Sequence, residues 1–155
     1  MNISKDRLVT AILLKHTETF EFYRNYSLEK RTYGTDAELF SFEADIISAI
    51  ADNDDITISD LAIICNKTKS AISQTISKLE KLQLVCKVPA QNDKRKQNLS
   101  LTEQGVIVDQ YHKQIDNLIE SDLSDLLSKL NIKDLNMTLA LMENILQVSK
   151  NRMTK

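Results

Sequence analysis

Residues 84–105 read LVCKVPAQNDKRKQNLSLTEQG, and this stretch decides the fold. Two short apolar runs, Leu84-Val85-Cys86-Lys87-Val88 and Gln97-Asn98-Leu99-Ser100-Leu101, flank a polar, cationic loop that ends in Asp93-Lys94-Arg95-Lys96. Period-two strands around a turn-rich segment predict a β-hairpin. Upstream, Thr68 stands at the N-cap position of a helix whose inward set is Ala71, Ile72, Thr75, Ile76, Leu79 and Leu82. Its opposite face is polar throughout: Lys69, Ser70, Ser73, Gln74, Ser77 and Lys78. A shorter helix before it carries Leu61, Ala62, Ile64 and Cys65, with Ser59 as the expected cap after a β-prone Ile56-Thr57-Ile58. Asn66 sits where the chain must turn, a place for the left-handed conformation that Asn tolerates. Two helices joined by so short a turn make a helix-turn-helix, and the hairpin after them makes a wing.

Outward from this centre the pattern is helical. Leu8, Val9, Ile12, Leu13, His16, Phe20 and Tyr23 recur at spacings of three and four, which predicts one helix from residue 4 to about 30. Tyr33-Gly34-Thr35 breaks it, and the next helix starts at either Thr35 or Ser41. Thr102 starts another long helix, and Asn131, with Asp134 three residues on, caps the last, whose stripe is Leu135, Leu139, Met142, Ile145 and Leu146. With two glycines and one proline in 155 residues, the chain has little punctuation for a large sheet. The expected fold is mainly α: about six helices and a small two- to three-stranded β wing. Residues 1–32 and 115–155 are the expected dimerisation region, and residues 33–114 the winged helix-turn-helix.

Charge is unevenly spread. Between Lys67 and Lys96 eight basic residues stand against Glu80 and Asp93, a net of +6; the whole chain carries −2, so the remainder holds −8. A polyanion would be drawn to one face and repelled elsewhere. No run of about 18 apolar residues offers a membrane span. Cys65 and Cys86 make no disulfide framework, and a reducing cytoplasm is the expected compartment.

The segment 59–105 resembles the MarR family of bacterial transcription regulators. Asp93-Lys94-Arg95 followed by Leu101-Thr102-Glu103-Gln104-Gly105 matches the family's wing signature, and the helix pair through Leu79-Glu80-Lys81-Leu82 fits its pattern. The resemblance implies a homodimer on a pseudo-palindromic double-stranded operator. Lys69, Ser70, Ser73, Gln74 and Lys78 would then face the major groove, with Thr68 at the start of the helix also binding DNA. Lys94, Arg95 and Lys96 would lie on the wing, with Arg95 in the minor groove and Asp93 orienting it. Gln can bond an adenine edge bidentately, and Lys neutralises phosphates. Many members carry Arg where Gln74 stands, and most carry Gly at Gln83, where a left-handed helix end is expected.

Seven of the eight aromatic residues fall between positions 20 and 42. Packing between the first two helices accounts for them. The alternative, in keeping with the family, is a pocket for a small aromatic effector formed by His16, Phe20, Tyr23, Phe40 and Phe42. Neither His16 nor His112 has acidic or cysteine partners at metal spacing, so no metal or other cofactor is expected. With no phosphate-binding glycine loop, zinc-protease motif or nucleophile elbow, an enzyme is not expected. A winged-helix module that binds only protein is the competing reading, and the cationic wing speaks against it.

Overall fold

The structure, a computed structural model, describes residues 4–89 and 97–153, with side chains to Asn151. The wing tip, and with it Asp93, Lys94, Arg95 and Lys96, lies outside the described residues. The chain divides into two compact units, Met1–Lys113 and Gln114–Lys155.

The first unit begins with α1 (Lys5–Leu28), started by Ser4, whose hydroxyl accepts the Arg7 N–H at 3.4 Å. The break after α1 is itself structured. β1 (Arg31–Thr32) and β2 (Glu38–Leu39) pair antiparallel, Arg31 opposite Leu39. Gly34 between them has φ +73, and a Cβ there would stand 3.1 Å from Ile107 and 3.3 Å from Tyr111. The preceding Tyr33 is fully buried. Two-residue strands leave no period to read, which is why the sequence predicts only a break.

α2 (Ser41–Ala51) takes the later of its two expected starts. Its first free N–H, on Phe40, donates to Glu43 Oε2 at 3.1 Å, so the third residue of the helix does the capping. Ala44, Ile46, Ile47 and Ile50 carry α2 into the core, beside Leu61, Ile72, Ile76, Leu79, Leu84, Val85, Leu99 and Val108.

α3 (Ile58–Ile64) corrects the expected cap and the expected strand. Thr57, not Ser59, caps it: the Thr57 hydroxyl accepts the Asp60 N–H at 3.3 Å and Asp60 Oδ2 accepts the Thr57 N–H at 3.0 Å. This reciprocal pair ties Thr57 into the helix start. Ile56 keeps one ladder-like bond, its carbonyl accepting the Leu99 N–H at 2.8 Å. Only Leu61 of the expected inward set is fully buried; Ile64 is exposed and Cys65 half-buried. A helix of seven residues has room to bury one short side.

α4 (Lys69–Lys81) follows a turn in which Asn66 has φ 49, as its residue type anticipates. Ile72, Ile76 and Leu79 are buried, whereas Ala71 and Leu82, at the two ends, are exposed. α4 closes through Gln83, φ 58, with Leu84 N–H donating to the Leu79 carbonyl at 3.0 Å and Gln83 N–H to the Glu80 carbonyl at 3.0 Å. These two bonds form the left-handed helix end usually given to glycine. β3 (Val85–Pro89) and β4 (Gln97–Leu101) then pair antiparallel, Val85 opposite Leu101 and Pro89 opposite Gln97. α5 (Glu103–Ser128) runs from the hairpin across the unit boundary.

In the second unit, α6 (Ile132–Met153) is capped as expected by Asn131, whose Oδ1 accepts the Asp134 N–H at 3.0 Å. Leu139, Met142 and Leu146 are exposed. Among the described residues, no helix is long and apolar enough to cross a membrane.

Candidate nucleic-acid interface

α4 has two unlike sides. Ile72, Ile76 and Leu79 seal one of them into the core. Thr68, Lys69, Ser70, Gln74 and Ser77 are exposed on the other, and Ser73 is half-buried. The Thr68 hydroxyl accepts the Ala71 N–H at 3.2 Å, so that residue sets the start of the helix as well as lying on its outward side. The exposed side chains are short or flexible and can form hydrogen bonds, which allows close approach to a polar surface. A half-open cavity of about 530 Å³ lies between the starts of α3 and α4 and the hairpin strands, lined by Thr57, Ser59, Asp60, Lys69, Lys87 and Gln97 among others.

Not every lysine of the cationic segment is equally available. Lys67, Lys69 and Lys81 are exposed. Lys87 pairs with Glu80 at 2.6 Å, tying β3 to α4. Lys78, expected to neutralise phosphates, instead lies 2.6 Å from both oxygens of the buried Glu43 carboxylate.

The hairpin is fastened at its base by the residues of its own sequence signature. Thr102 Oγ1 donates to the Gln83 carbonyl at 2.6 Å and accepts the Gly105 N–H at 3.1 Å, while Thr102 N–H donates to the Leu84 carbonyl at 3.1 Å. One threonine thus joins the end of α4, the start of β3 and the first turn of α5. Gly105 is required by space: a Cβ on it would stand 2.0 Å from the Leu84 carbonyl oxygen. Farther along the hairpin, Asn98 Nδ2 donates to Asp55 Oδ1 at 2.6 Å, where Asp55 itself has φ 57.

Residues 39–96 match the MarR family. A comparison with curated protein sequences found no match. Among solved structures, the chain is similar to ZitR of Lactococcus lactis in complex with DNA, at 20% identity and TM-score 0.74, over 94% of this chain and 98% of that one. It is similar to the zinc-dependent MarR family transcriptional regulator AdcR in its Zn(II)-bound state, at 14% identity and TM-score 0.72, over 94% and 98%. The adhesin competence repressor AdcR of Streptococcus pyogenes gives 21% identity and TM-score 0.62, over 90% of each chain. At these identities the likeness is one of fold: the MarR winged helix, with six helices and small antiparallel sheets among the described residues.

AdcR is zinc-dependent by name, which raises the question of a matching donor set in this chain. Among the described residues, no group of three or more His, Cys, Asp or Glu side chains stands close enough to hold a metal ion. His112 is engaged in the fold: its Nε2 lies 2.9 Å from Asp45 Oδ1, and its ring meets Tyr33 edge-on at 5.5 Å.

The residues expected to bind an effector fall into two sets. His16, Phe20 and Tyr23 are exposed along α1. The Phe40 ring instead lies against two ammonium groups, Lys30 at 5.5 Å and Lys78 at 5.4 Å, and Phe42 lies 5.6 Å from Lys67. The cavity beside α3, α4 and the hairpin strands is lined by none of these five side chains. Burial, then the charge of Asp45, pushes the Cys65 thiol above its usual range, with Lys67 opposing; that disfavours the reactive thiolate. Sequence reading missed Glu43 and Asp45, the two α2 acids that reach α4 and α5. Phe40 has no side-chain acceptor, so Glu43 three residues on gives no capping-box pattern to read, and its partner Lys78 lies 35 residues away.

Proposed function

We propose that this protein is a homodimeric, sequence-specific double-stranded DNA-binding transcriptional regulator of the cytoplasm, acting as a repressor that a small-molecule effector releases. The observation that carries the proposal is the two-sided α4. Its apolar residues Ile72, Ile76 and Leu79 are used up inside the chain, while Lys69, Ser70 and Gln74 remain exposed, Lys69 beside the hairpin strands. Such a helix suits a major groove, where base edges present a donor and acceptor pattern that Gln and Ser can read. The DNA complex of the structurally similar ZitR supports the same reading.

On the wing, Arg95 is assigned to the minor groove with Asp93 holding its guanidinium, and Lys94 and Lys96 to the flanking phosphates. Arg is always charged and weakly hydrated, so it enters a narrow groove at lower desolvation cost than Lys. Residues 1–32 and 115–155 are assigned to the interface between two copies. Leu8, Ile12, Leu13, Phe20 and Tyr23 on α1 and Leu139, Met142 and Leu146 on α6 are all exposed, and apolar surface of that extent marks an interface. The exposed aromatics of α1 would then meet the second copy, where an aromatic effector could bind among them.

The experiment is selection of genomic fragments by the purified protein, followed by titration of the best fragment at several salt concentrations. Enrichment of fragments sharing an inverted repeat is the expected result. Arg95→Ala should weaken binding to that fragment and lower the salt slope by about 0.9 per subunit. No enrichment at low salt would sink the DNA-binding reading and favour a protein-binding winged helix.

A further inference from the structure

Lys78 stands on the flank of α4. At 3.6 residues per turn it is four residues beyond Gln74, between the exposed polar side and the buried Ile72, Ile76 and Leu79. Its ammonium is 2.6 Å from Oε1 and 2.6 Å from Oε2 of Glu43, and 5.4 Å from the centre of the Phe40 ring. The Glu43 side chain is only 9% exposed, against 38% for Lys78. Glu43 Oε2 also accepts the Phe40 N–H at 3.1 Å, so the carboxylate joins the first turn of α2 to the third turn of α4.

We propose that Lys78 is a positioning residue that fixes the rotation of α4 through Glu43, and that it is not a phosphate contact. The inference rests on the DNA-binding reading above and deepens it. The charge balance is the reason. Moving the ammonium toward a phosphate would leave a buried carboxylate without its cation, and an unpaired buried charge is strongly unfavourable. Two of the three ammonium hydrogens are committed to Glu43, and the aromatic face of Phe40 lies beside the cation. A pair so held sets the angle at which Gln74, one turn earlier on the same helix, is presented. Lys78 therefore serves base reading without touching DNA, whereas exposed Lys69 is free to meet the backbone.

Salt dependence separates the two roles, because each phosphate neutralised adds about 0.9 to the slope of log affinity against log salt. The probe is a duplex selected by the parent protein from a randomised library. Lys78→Met should lower affinity for that duplex by about tenfold or more with an unchanged slope. Glu43→Gln should also lower it, and the double variant should lose less than the two single losses combined, since it leaves no unpaired buried charge. Helix content is checked by circular dichroism first; if Lys78→Met does not fold, the neutral pair Lys78→Gln with Glu43→Gln replaces it and is judged by the same unchanged slope. A slope shallower by about 0.9 per subunit, tighter binding by Glu43→Gln, or parental affinity in every variant overturns the positioning role. A parent that selects no duplex overturns the DNA-binding reading and this inference with it; a parent that binds while Lys78→Met shows the shallower slope overturns the positioning role alone.

Discussion

α4 and α6 solve opposite problems. α4 buries Ile72, Ile76 and Leu79 within its own unit and turns hydroxyl, amide and ammonium groups outward. α6 leaves Met137, Leu139, Leu141, Met142 and Leu146 exposed, and α1 likewise buries none of its residues. A helix that has satisfied its apolar side can offer a polar side to a highly charged partner without needing it to fold. A helix with its apolar side still open has its partner yet to come. In the proposed function this difference matches α4 to DNA and the terminal helices to a second copy of the chain. It also implies different responses to substitution: changes on the terminal helices should act through assembly, and changes around α4 through its stability or aim.

The largest effect is expected where the apolar side is open. Leu139→Glu combined with Met142→Glu should convert a dimer to monomers in sedimentation at micromolar concentration. Loss of two-site engagement should weaken binding to a palindromic duplex by about 100-fold or more. A monomeric parent, or a charged variant that stays dimeric, would break the comparison at its apolar end.

Next comes the fastening of α4 to the hairpin. Gly105→Ala places a methyl group against the Leu84 carbonyl, 2.0 Å away unless the backbone shifts. Overpacking against backbone has no flexible side chain to relieve it, so a loss of about 3 kcal/mol is expected. In a chain of this size that lowers Tm by roughly 6–12 °C, measurable by circular dichroism. An unchanged Tm would mean that the Thr102 and Gly105 junction is looser than its geometry.

A smaller effect, of opposite sign, belongs to the other end of the same junction. Gln83 holds φ 58 where glycine has no steric cost. Gln83→Gly should stabilise the protein by about 1 kcal/mol, seen as a higher midpoint in urea at constant slope. A lower midpoint would show that the Gln83 side chain contributes more than its backbone conformation costs.

Much of this region is legible in the amino-acid sequence. The Thr102 and Gly105 spacing, the Asn66 turn and the alternation of Ile72, Ile76 and Leu79 with polar residues are local signals, each with a local cause. The β1–β2 hairpin is not legible, because two residues per strand cannot show a period and Tyr33 is buried by packing that sequence spacing does not report. The cap of α3 falls two residues from its expected place because Ser59 and Thr57 are both capping types, and only the reciprocal bond with Asp60 separates them. The role of Lys78 is hidden for a different reason. A lysine on a polar helix face reads as a free cation until the carboxylate from α2 is seen beside it. Local patterns reveal what a helix buries, whereas pairs distant in sequence decide which of its charges remain available.

The most direct test of the account is a library selection run in parallel with the parent protein and Gln74→Ala. If the outward side of α4 reads base edges, the parent should enrich an inverted repeat. The Gln74→Ala variant should enrich the same repeat with altered preference at one position in each half-site, at a cost of about 1–3 kcal/mol on the parental sequence. An identical motif from both proteins, with uniformly weaker binding by Gln74→Ala, would contradict the account.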